Sequence, residues 1–248
     1  MQLKVLTYNI HRAIGMDRRF RPERIVEILA HHAADLVLLQ EVDEGAPRSR
    51  ELDLARELAR EAGYPHLAAG YNVSLKKGRY GNAILSRWPL TIHRNIDLTV
   101  GGRKRRGCLH ARVNIEGGRL EPRELDVFNL HLGLQTNERT RQVGMLVRSP
   151  EFVAVAKSAP CLVAGDFNDW LSQQLPIFLE VLEFKSATKE RFGRPAVIRT
   201  YPAFSPTGSL DKILFRGPIR LLGARGCRLA VSRIASDHLP IVAEFELV

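Results

Sequence analysis

The sequence has only three cysteines, Cys108, Cys161 and Cys227, and they lie far apart in the chain. No pair forms a CxxC unit, and no spacing of cysteine and histidine suits a zinc site. An odd number of scattered cysteines also argues against a disulfide framework. We therefore expect buried free thiols in a protein of a reducing compartment.

Long apolar runs are also missing. No stretch approaches the ~20 residues that a membrane-spanning helix needs. The chain enters a predicted strand directly after Met1, without the basic and apolar regions of a secretory signal. Linkers, repeats and low-complexity segments are absent as well. These absences favour a cytoplasmic protein with one domain, residues 1–248, and we expect a monomer.

Acidic residues are outnumbered by basic ones, with 27 Asp and Glu against 37 Lys and Arg, which gives a net charge of +10. An excess of this size favours a polyanionic partner, such as nucleic acid, an anionic lipid surface or a phosphorylated small molecule. The 29 arginines against 8 lysines fit a general bias towards arginine equally well. The charge alone therefore does not decide between these interpretations.

Apolar periodicity predicts strands and helices in both halves of the chain. The continuous run Leu36 to Leu39 is typical of a buried central strand. Pro22, with Ile25 and Ile28 on one helical face, predicts a helix near the N-terminus. Another helix is predicted around Gln173 to Leu182. Strands crowding both halves indicate an α/β protein with two mostly antiparallel or mixed sheets packed face to face and helices outside.

Polar side chains follow several predicted strands at the point where each strand ends. Hydrolysis of a phosphoester needs a cation that screens the phosphoryl oxygens, and Mg²⁺ prefers oxygen ligands, of which one or two carboxylates suffice. Glu41, after the run Leu36 to Gln40, is the natural primary ligand. Asn9 offers an amide oxygen, and Asp237 offers a second carboxylate.

Hydrolysis also needs a base and donors for the charge that builds at phosphorus. His238 is the best candidate base, because its ordinary pKa lies near neutrality. Asp211 is placed to fix its tautomer. Asp166 and Asn168 would hold the attacking water, and His131 would donate to a phosphoryl oxygen or assist the leaving group.

Each of these motifs also has an ordinary structural explanation: an exposed turn, a helix cap or a surface charge. Their joint occurrence is harder to explain in that way. Strand ends on one side of a sheet gather into a common pocket, which is where ligands usually bind. We therefore expect these side chains to converge.

The chain resembles the endonuclease/exonuclease/phosphatase superfamily, which has the DNase I-like fold. The resemblance is carried by seven segments that occur in the family's order across nearly the whole chain: Thr7 to His11, Leu39 to Val42, Gly81 to Ser86, Asn129 to His131, Gly165 to Asn168, Leu210 to Ile213 and Ser236 to Pro240. The opening segment, Tyr8 to Gly15, is similar to a small bacterial subgroup linked to membrane lipid metabolism.

The resemblance implies a four-layer α/β/β/α sandwich and dependence on Mg²⁺, with Mn²⁺ as an alternative. It supports the roles already given to the strand-end residues, and whether His238 or Asp166 takes the proton stays open. It also places Asn82 near the substrate phosphate, and Tyr80 at a position where some members of the family contact substrate. The ordinary structural explanations are a turn residue for Asn82 and a half-buried strand aromatic for Tyr80.

The segment Gly101 to Gly107 contains the densest group of basic residues. One interpretation is a clamp on phosphates that flank the scissile bond, with Arg106 nearest the site. The other is a solvated loop. No aromatic residues interleave this group, so a stacking platform for single-stranded nucleic acid is not indicated.

The sequence therefore predicts a hydrolase of phosphodiester bonds that acts on nucleic acid or on an anionic lipid or small molecule, with peripheral membrane contact left open. A phosphomonoesterase acting on a small phosphorylated molecule is the first alternative. A non-enzymatic module that binds polyanions is the second, and the complete set of polar residues argues against it.

Overall fold

The computed structural model describes residues 1–115, 123–188, 190–191, 194–195 and 197–248. The strands, in chain order, are β1 (Gln2–Asn9), β2 (Leu36–Glu44), β3 (His66–Ser74), β4 (Arg79–Ser86), β5 (Leu90–Asp97), β6 (Gly107–Ile115), β7 (Arg123–His131), β8 (Cys161–Asp166), β9 (Lys185–Ser186), β10 (Glu190–Arg191), β11 (Arg194–Pro195), β12 (Asp211–Arg216), β13 (Ile219–Gly226) and β14 (Ile241–Leu247). The α-helices are α1 (Pro22–His32), α2 (Leu54–Glu61), α3 (Thr136–Val147), α4 (Pro150–Val153) and α5 (Ser232–Ala235).

Twelve of these strands form two mixed sheets of six. The first sheet has the order β13-β14-β1-β2-β4-β3, and the second has the order β5-β6-β7-β8-β12-β9. Each sheet is centred on one parallel pair, β1 with β2 and β7 with β8, and its other neighbours are antiparallel. A parallel pair needs a crossover connection. Helix α1 makes the first crossover, and helices α3 and α4 make the second.

The apolar residues of the central strands divide between two faces, since successive side chains of a strand point in opposite directions. Leu36 and Leu38 belong to the core between the sheets, where they meet strand residues such as Val127. Val37 and Leu39 belong to a second core, under α1, α2 and α5. A third core lies between the second sheet and helices α3 and α4. The predicted four-layer α/β/β/α sandwich is confirmed.

The helix predicted around Gln173 to Leu182 is shorter in the structure, where a π-helical segment covers Ile177–Val181. The backbone N–H groups of Gln173 and Gln174 donate instead to the carboxylate of Asp169, at 3.0 and 2.8 Å. Side-chain capping of this kind competes with helical hydrogen bonds, so the helical segment begins later than predicted.

The three cysteines are buried and free, as expected. Across the described ranges of the chain, no helix combines the length and the apolar character that crossing a bilayer requires.

Candidate active site

The ends of the central strands of both sheets meet at one edge of the sandwich and form a cleft of about 250 Å³. The register brings the strand ends together, because Asn9 pairs with Gln40, and Asp166 lies between His131 and Asp211. The cleft is lined by residues from both sheets: Asn9, Glu41, Lys104, Arg106, His131, Leu134, Asp166, Asn168, Trp170, Tyr201, Leu210, Asp237 and His238. Eight of the eleven predicted site residues are in this group.

Irregular backbone aims two of these side chains into the cleft. A bulge interrupts the pairing of β2 with β4 between Leu39 and Val42, and Glu41 within it has a φ of +55°. Asn168, just beyond β8, has a φ of +50°. Left-handed backbone is unfavourable for residues other than glycine and clusters at functional sites. The backbone at Glu41 and Asn168 is therefore strained in the conformation that directs their side chains into the cleft.

His238 is held by Asp211. Its Nδ1 donates to Asp211 Oδ2 at 2.8 Å, and the same oxygen accepts from the hydroxyl of Thr200. The other ring nitrogen, Nε2, lies 3.8 Å from Asp166 Oδ2. Burial alone would lower the pKa of His238, but the carboxylates of Asp211 and Asp166 outweigh it and raise the pKa to about 10. The ring therefore carries a positive charge in this arrangement.

Asp166 is the centre of the cleft's polar contacts. Its Oδ2 accepts from Asn9 Nδ2 at 3.0 Å, and its Oδ1 accepts from the backbone N–H of Asn168 at 2.9 Å. Burial raises the pKa of Asp166 to about 6, against the opposing charge of His238. One ligand-type atom from each of Asp166, Asp211 and His238 lies within 4.8 Å of the others. Asp211 itself lies behind His238 and does not line the cleft.

His131 is the neutral member of the site. Burial, and then the charge of Arg106, lower its pKa well below the usual value for histidine. Arg106 Nη1 donates to His131 Nε2 at 2.9 Å, so the ring proton is on Nδ1. The sequence predicts that His131 donates to a phosphoryl oxygen or assists the leaving group; for either role through Nε2, Arg106 would need to turn away.

The chemistry of three cleft residues suits a hard divalent cation. One carboxylate oxygen of Glu41, Oε2, is buried without a hydrogen bond, and its nearest cation is Arg12 Nε at 3.5 Å. Asn9 and Asp237 line the same cleft and offer an amide and a carboxylate oxygen. Mg²⁺ takes oxygen ligands and is usually bound through one or two carboxylates of a protein.

Asn82 and Tyr80 do not reach the cleft in this structure. They line an adjoining hollow, together with Arg106 and His131. Asn82 Nδ2 donates to the carbonyls of Gly107 and Asn129, both at 3.1 Å, so this amide group is bound to the backbone of the second sheet.

The predicted basic loop stands beside the cleft. Lys104 lines the cleft, with its amine 5.5 Å from the centre of the Tyr80 ring. Arg106 is only 5% exposed, because it is turned inward onto His131. Arg103 lies 3.7 Å from Glu138 at the start of α3. The loop is therefore partly anchored to its surroundings.

Comparison with known proteins agrees with this geometry. A model of the Endonuclease/Exonuclease/phosphatase family matches residues 6–238. The chain belongs to the endonuclease/exonuclease/phosphatase family. Members of this family are hydrolases that act on phosphoester bonds.

Relatives of the family resemble the chain over almost its full length. Uncharacterized protein YbhP of Escherichia coli (strain K12) is 33% identical over 257 residues, which cover 98% of this chain and 96% of that protein. The endonuclease/exonuclease/phosphatase from Bacteroides vulgatus has a TM-score of 0.79 at 17% identity and covers 100% of both chains. The mannosyl-6-phosphatase of Bacteroides thetaiotaomicron has a TM-score of 0.76 at 18% identity, with 98% of this chain and 99% of that one covered.

Several residues of this cleft were not predicted from the sequence. Trp170 and Tyr201 line the cleft with their rings 5.7 Å apart, and the Tyr201 ring lies 5.0 Å from that of His238. Arg12, beside Glu41, was noticed only as part of a motif. These residues come from loops outside the strand ends, so no periodic pattern singles them out.

Proposed function

We propose that this protein is a Mg²⁺-dependent hydrolase of phosphodiester bonds. The observation that carries the proposal is the convergence, from two sheets, of a charged His238–Asp211 pair, a buried Asp166 and a Glu41 carboxylate with an unpaired oxygen. Each of these groups costs stability when it is buried. Their gathering in one cleft is therefore better explained by catalysis than by folding.

Glu41, Asn9 and Asp237 would hold the cation. When bound, Mg²⁺ supplies positive charge that screens the phosphoryl oxygens and stabilises the charge added in the transition state. Arg12 competes for Glu41, since its guanidinium stands 3.5 Å from the same carboxylate. Arg12 would have to release this carboxylate for Glu41 to bind the cation.

His238 and Asp166 handle the proton of the attacking water. Their facing atoms, His238 Nε2 and Asp166 Oδ2, are 3.8 Å apart. Two titratable groups this close bind and release protons together, so we treat them as one pair. The water oxygen forms the new bond to phosphorus, its proton passes to this pair, and the bond from phosphorus to the leaving oxygen breaks. Asp211 keeps the His238 ring oriented with Nε2 towards the cleft.

Arg106, Lys104 and Asn168 supply positive charge and donors around the phosphoryl group. Asn168 Nδ2 donates to the carbonyl of Leu132 at 2.9 Å, which fixes its amide beside Asp166. Arg106 is held by His131 and offers its remaining N–H groups to an anion. Preorganised donors of this kind favour the transition state because they need no rearrangement during the reaction.

A phosphomonoesterase is the second candidate, and the structural similarity to a mannosyl-6-phosphatase favours it. The same residues would serve both reactions, since water attacks phosphorus in each. Comparing bis(p-nitrophenyl) phosphate with p-nitrophenyl phosphate as substrates, at saturating Mg²⁺, separates the two. A diesterase has the higher kcat/KM with the first, and a monoesterase with the second.

The variant Glu41→Gln tests the cation site. It should lower kcat/KM by about 10²-fold or more and weaken Mg²⁺ binding measured by calorimetry, because the charged ligand is lost. Glu44→Gln is the matched control, since Glu44 lies on the same strand and pairs with Arg79 outside the cleft. Equal Mg²⁺ affinity in wild type and Glu41→Gln would reject the assignment.

The variant His238→Ala tests the proposed chemistry. A loss of about 10²–10⁴-fold in kcat is expected for removal of a group that handles the proton. Near-normal turnover by this variant would reject the assigned roles. Absence of any Mg²⁺-dependent hydrolysis by the wild-type protein, together with tight binding of polyanions, would favour the non-enzymatic alternative.

A further inference from the structure

A second cavity of about 440 Å³ lies next to the catalytic cleft, between the end of β13, helix α5 and the loop 197–206. Its volume falls within the range of small-ligand sites. Three exposed arginines line it, Arg199, Arg228 and Arg233. No carboxylate lines the cavity, and within the described parts of the chain none of the three arginines has an ion-pair partner.

Within the described residues, the cavity lining combines unpaired arginines with one that has an ion-pair partner. Arg225, a fourth arginine of the lining, pairs with Glu244 at 3.0 Å. Like charges that gather around a concave surface repel one another and focus a positive potential into it. Arginine is also the side chain best suited to bind phosphate, because its N–H groups form a planar fork.

The cavity and the catalytic cleft share a wall. His238 faces the cleft and Leu239 faces the cavity, although the two residues are consecutive. Two backbone hydrogen bonds join the segments that form this wall, from Ala203 N to Asp237 O at 2.8 Å and from Leu239 N to Thr200 O at 2.9 Å. One layer of backbone therefore separates the two spaces.

The cavity also has an apolar part. Val197, Ile198 and Leu239 contribute to its lining beside the arginines. A bare inorganic ion would leave most of a 440 Å³ space to water. The lining suits a phosphate that is attached to an organic body, such as a sugar, a base or an acyl glycerol.

We propose that this cavity binds a second phosphate group of the substrate, so that the enzyme acts on molecules or chains that carry a phosphate beyond the scissile one. The inference rests on the proposed function, because it places the scissile phosphate at His238. A nucleic acid strand and an anionic phospholipid surface both present such phosphates. The shared chemistry is a phosphate diester or monoester next to an organic group.

The test measures binding without turnover. A fluorescent single-stranded DNA 12-mer and vesicles of equal parts phosphatidylglycerol and phosphatidylcholine are titrated in EDTA with wild type and with the triple variant R199A/R228A/R233A. We expect at least one probe to bind wild type, and the triple variant to bind it about 10-fold more weakly. For DNA, the slope of log affinity against log salt should fall by about two, as expected for three lost phosphate contacts.

The matched control is R94A/R141A/R148A, which removes the same charge from exposed arginines that do not line the cavity. Its binding should stay close to that of wild type. Equal binding by the two triple variants would overturn the proposal, and so would the failure of both probes to bind wild type at low salt. The probe that binds identifies the source of the phosphate.

A kinetic measurement separates this inference from the proposed function. Hydrolysis of bis(p-nitrophenyl) phosphate in Mg²⁺ should be unchanged in R199A/R228A/R233A, because this substrate has one phosphate. KM for the probe that binds should rise about 10-fold with kcat unchanged, since only uniform binding is lost. If wild type hydrolyses no substrate, the proposed function fails, and the binding comparison still decides whether the cavity takes phosphate.

Discussion

Asp211 contacts the reaction only through His238, since it is fully buried and lies outside the cleft. Its carboxylate fixes the proton on Nδ1 and stabilises the charged ring. Asp211 is therefore a positioning residue. Changing it should affect the chemical step far more than the binding of substrate.

The variant Asp211→Asn should lower kcat by about 10²–10⁴-fold with little change in KM, because the amide favours the wrong tautomer of His238. The double variant with His238→Ala should lose little more than His238→Ala alone. Steady-state kinetics on bis(p-nitrophenyl) phosphate measures both.

A second buried pair provides the control for this variant. His110 Nε2 donates to Asp126 Oδ1 at 2.7 Å, in a position away from the cleft. Asp126→Asn breaks the same kind of contact and should affect stability, while kcat stays near wild type. Equal losses of kcat in Asp126→Asn and Asp211→Asn would show that the effect is structural.

At this scale, the sequence predicted which residues converge better than it predicted their partners. Strand ends are recognisable from apolar runs, so Glu41, Asp166 and His238 could be placed at one edge. Contacts made across the fold have no local signal. That Arg106 would occupy His131 Nε2, and that Asn82 would bind backbone carbonyls, follows only from how the two sheets pack.

Among the elements, β7 is tied to the first sheet by a buried side chain. Asn129 Nδ2 donates to the carbonyls of Leu39 and Ala83, both at 2.9 Å, and Asn129 Oδ1 accepts from Gln40 Nε2 at 2.7 Å. These bonds cross the space between the sheets just before Glu41 and His131 enter the cleft. Asn129 therefore sets the distance between the two halves of the site.

The variant Asn129→Ala should lower the free energy of unfolding by about 2–4 kcal/mol, because three buried hydrogen bonds are lost. It should also lower kcat, since Glu41 and His131 lose their common support. Urea unfolding measures the first effect. Asn137→Ala, at an exposed position of α3, is the control and should change neither quantity.

Helix α1 ends on a histidine that is buried in the uncharged form. His32 Nε2 lies 3.2 Å from Cys227 Sγ, and burial, followed by the nearby charges of His31, Arg225 and Lys4, lowers the pKa of His32 to about 4. The unfolded chain binds a proton near pH 6.5, whereas the folded chain stays neutral until about pH 4. Stability is therefore lost as the pH falls through this window.

The variant His32→Leu should remove this loss. Between pH 7 and pH 4.5, wild type should lose about 1–3 kcal/mol of unfolding free energy more than His32→Leu does. Urea unfolding at both pH values gives the difference, and other titrating groups cancel because they are common to both proteins. Parallel pH profiles for the two proteins would contradict the prediction.

The arrangement of the layers was predictable from the sequence. The similar construction of the two sheets, each around one parallel pair, was not. Strands and helices in both halves indicated two sheets with helices outside, and this is confirmed. Each sheet is also built around a parallel pair with a helical crossover. The pairs use different residues and connections, so no repeat is visible in the sequence. The length of the helix at Ile177–Val181 was overestimated, because the capping of backbone N–H groups by Asp169 leaves no periodic signal in the sequence.

For the molecule as a whole, the two sheets share both a core and a site. The inter-sheet core joins residues of both sheets, such as Leu38 and Val127, and the hydrogen bond from Asn9 to Asp166 crosses between them at 3.0 Å. Neither sheet could keep its inner face buried without the other. We therefore expect residues 1–248 to unfold as one cooperative unit, as the single-domain prediction requires.

The test follows several probes through one urea titration. Trp88 packs against the inter-sheet core, and Trp170 lines the cleft, so single-tryptophan variants made by Trp→Phe substitution report on each region. The two fluorescence transitions, the far-UV circular dichroism and the loss of hydrolytic activity should share one midpoint, because opening either sheet exposes the common core and separates Glu41 from Asp166. An early loss of Trp170 signal and activity, with Trp88 and the dichroism intact, would instead mean that the cleft end opens locally. A midpoint difference between Trp88 and the dichroism would mean that the two sheets unfold as separate units.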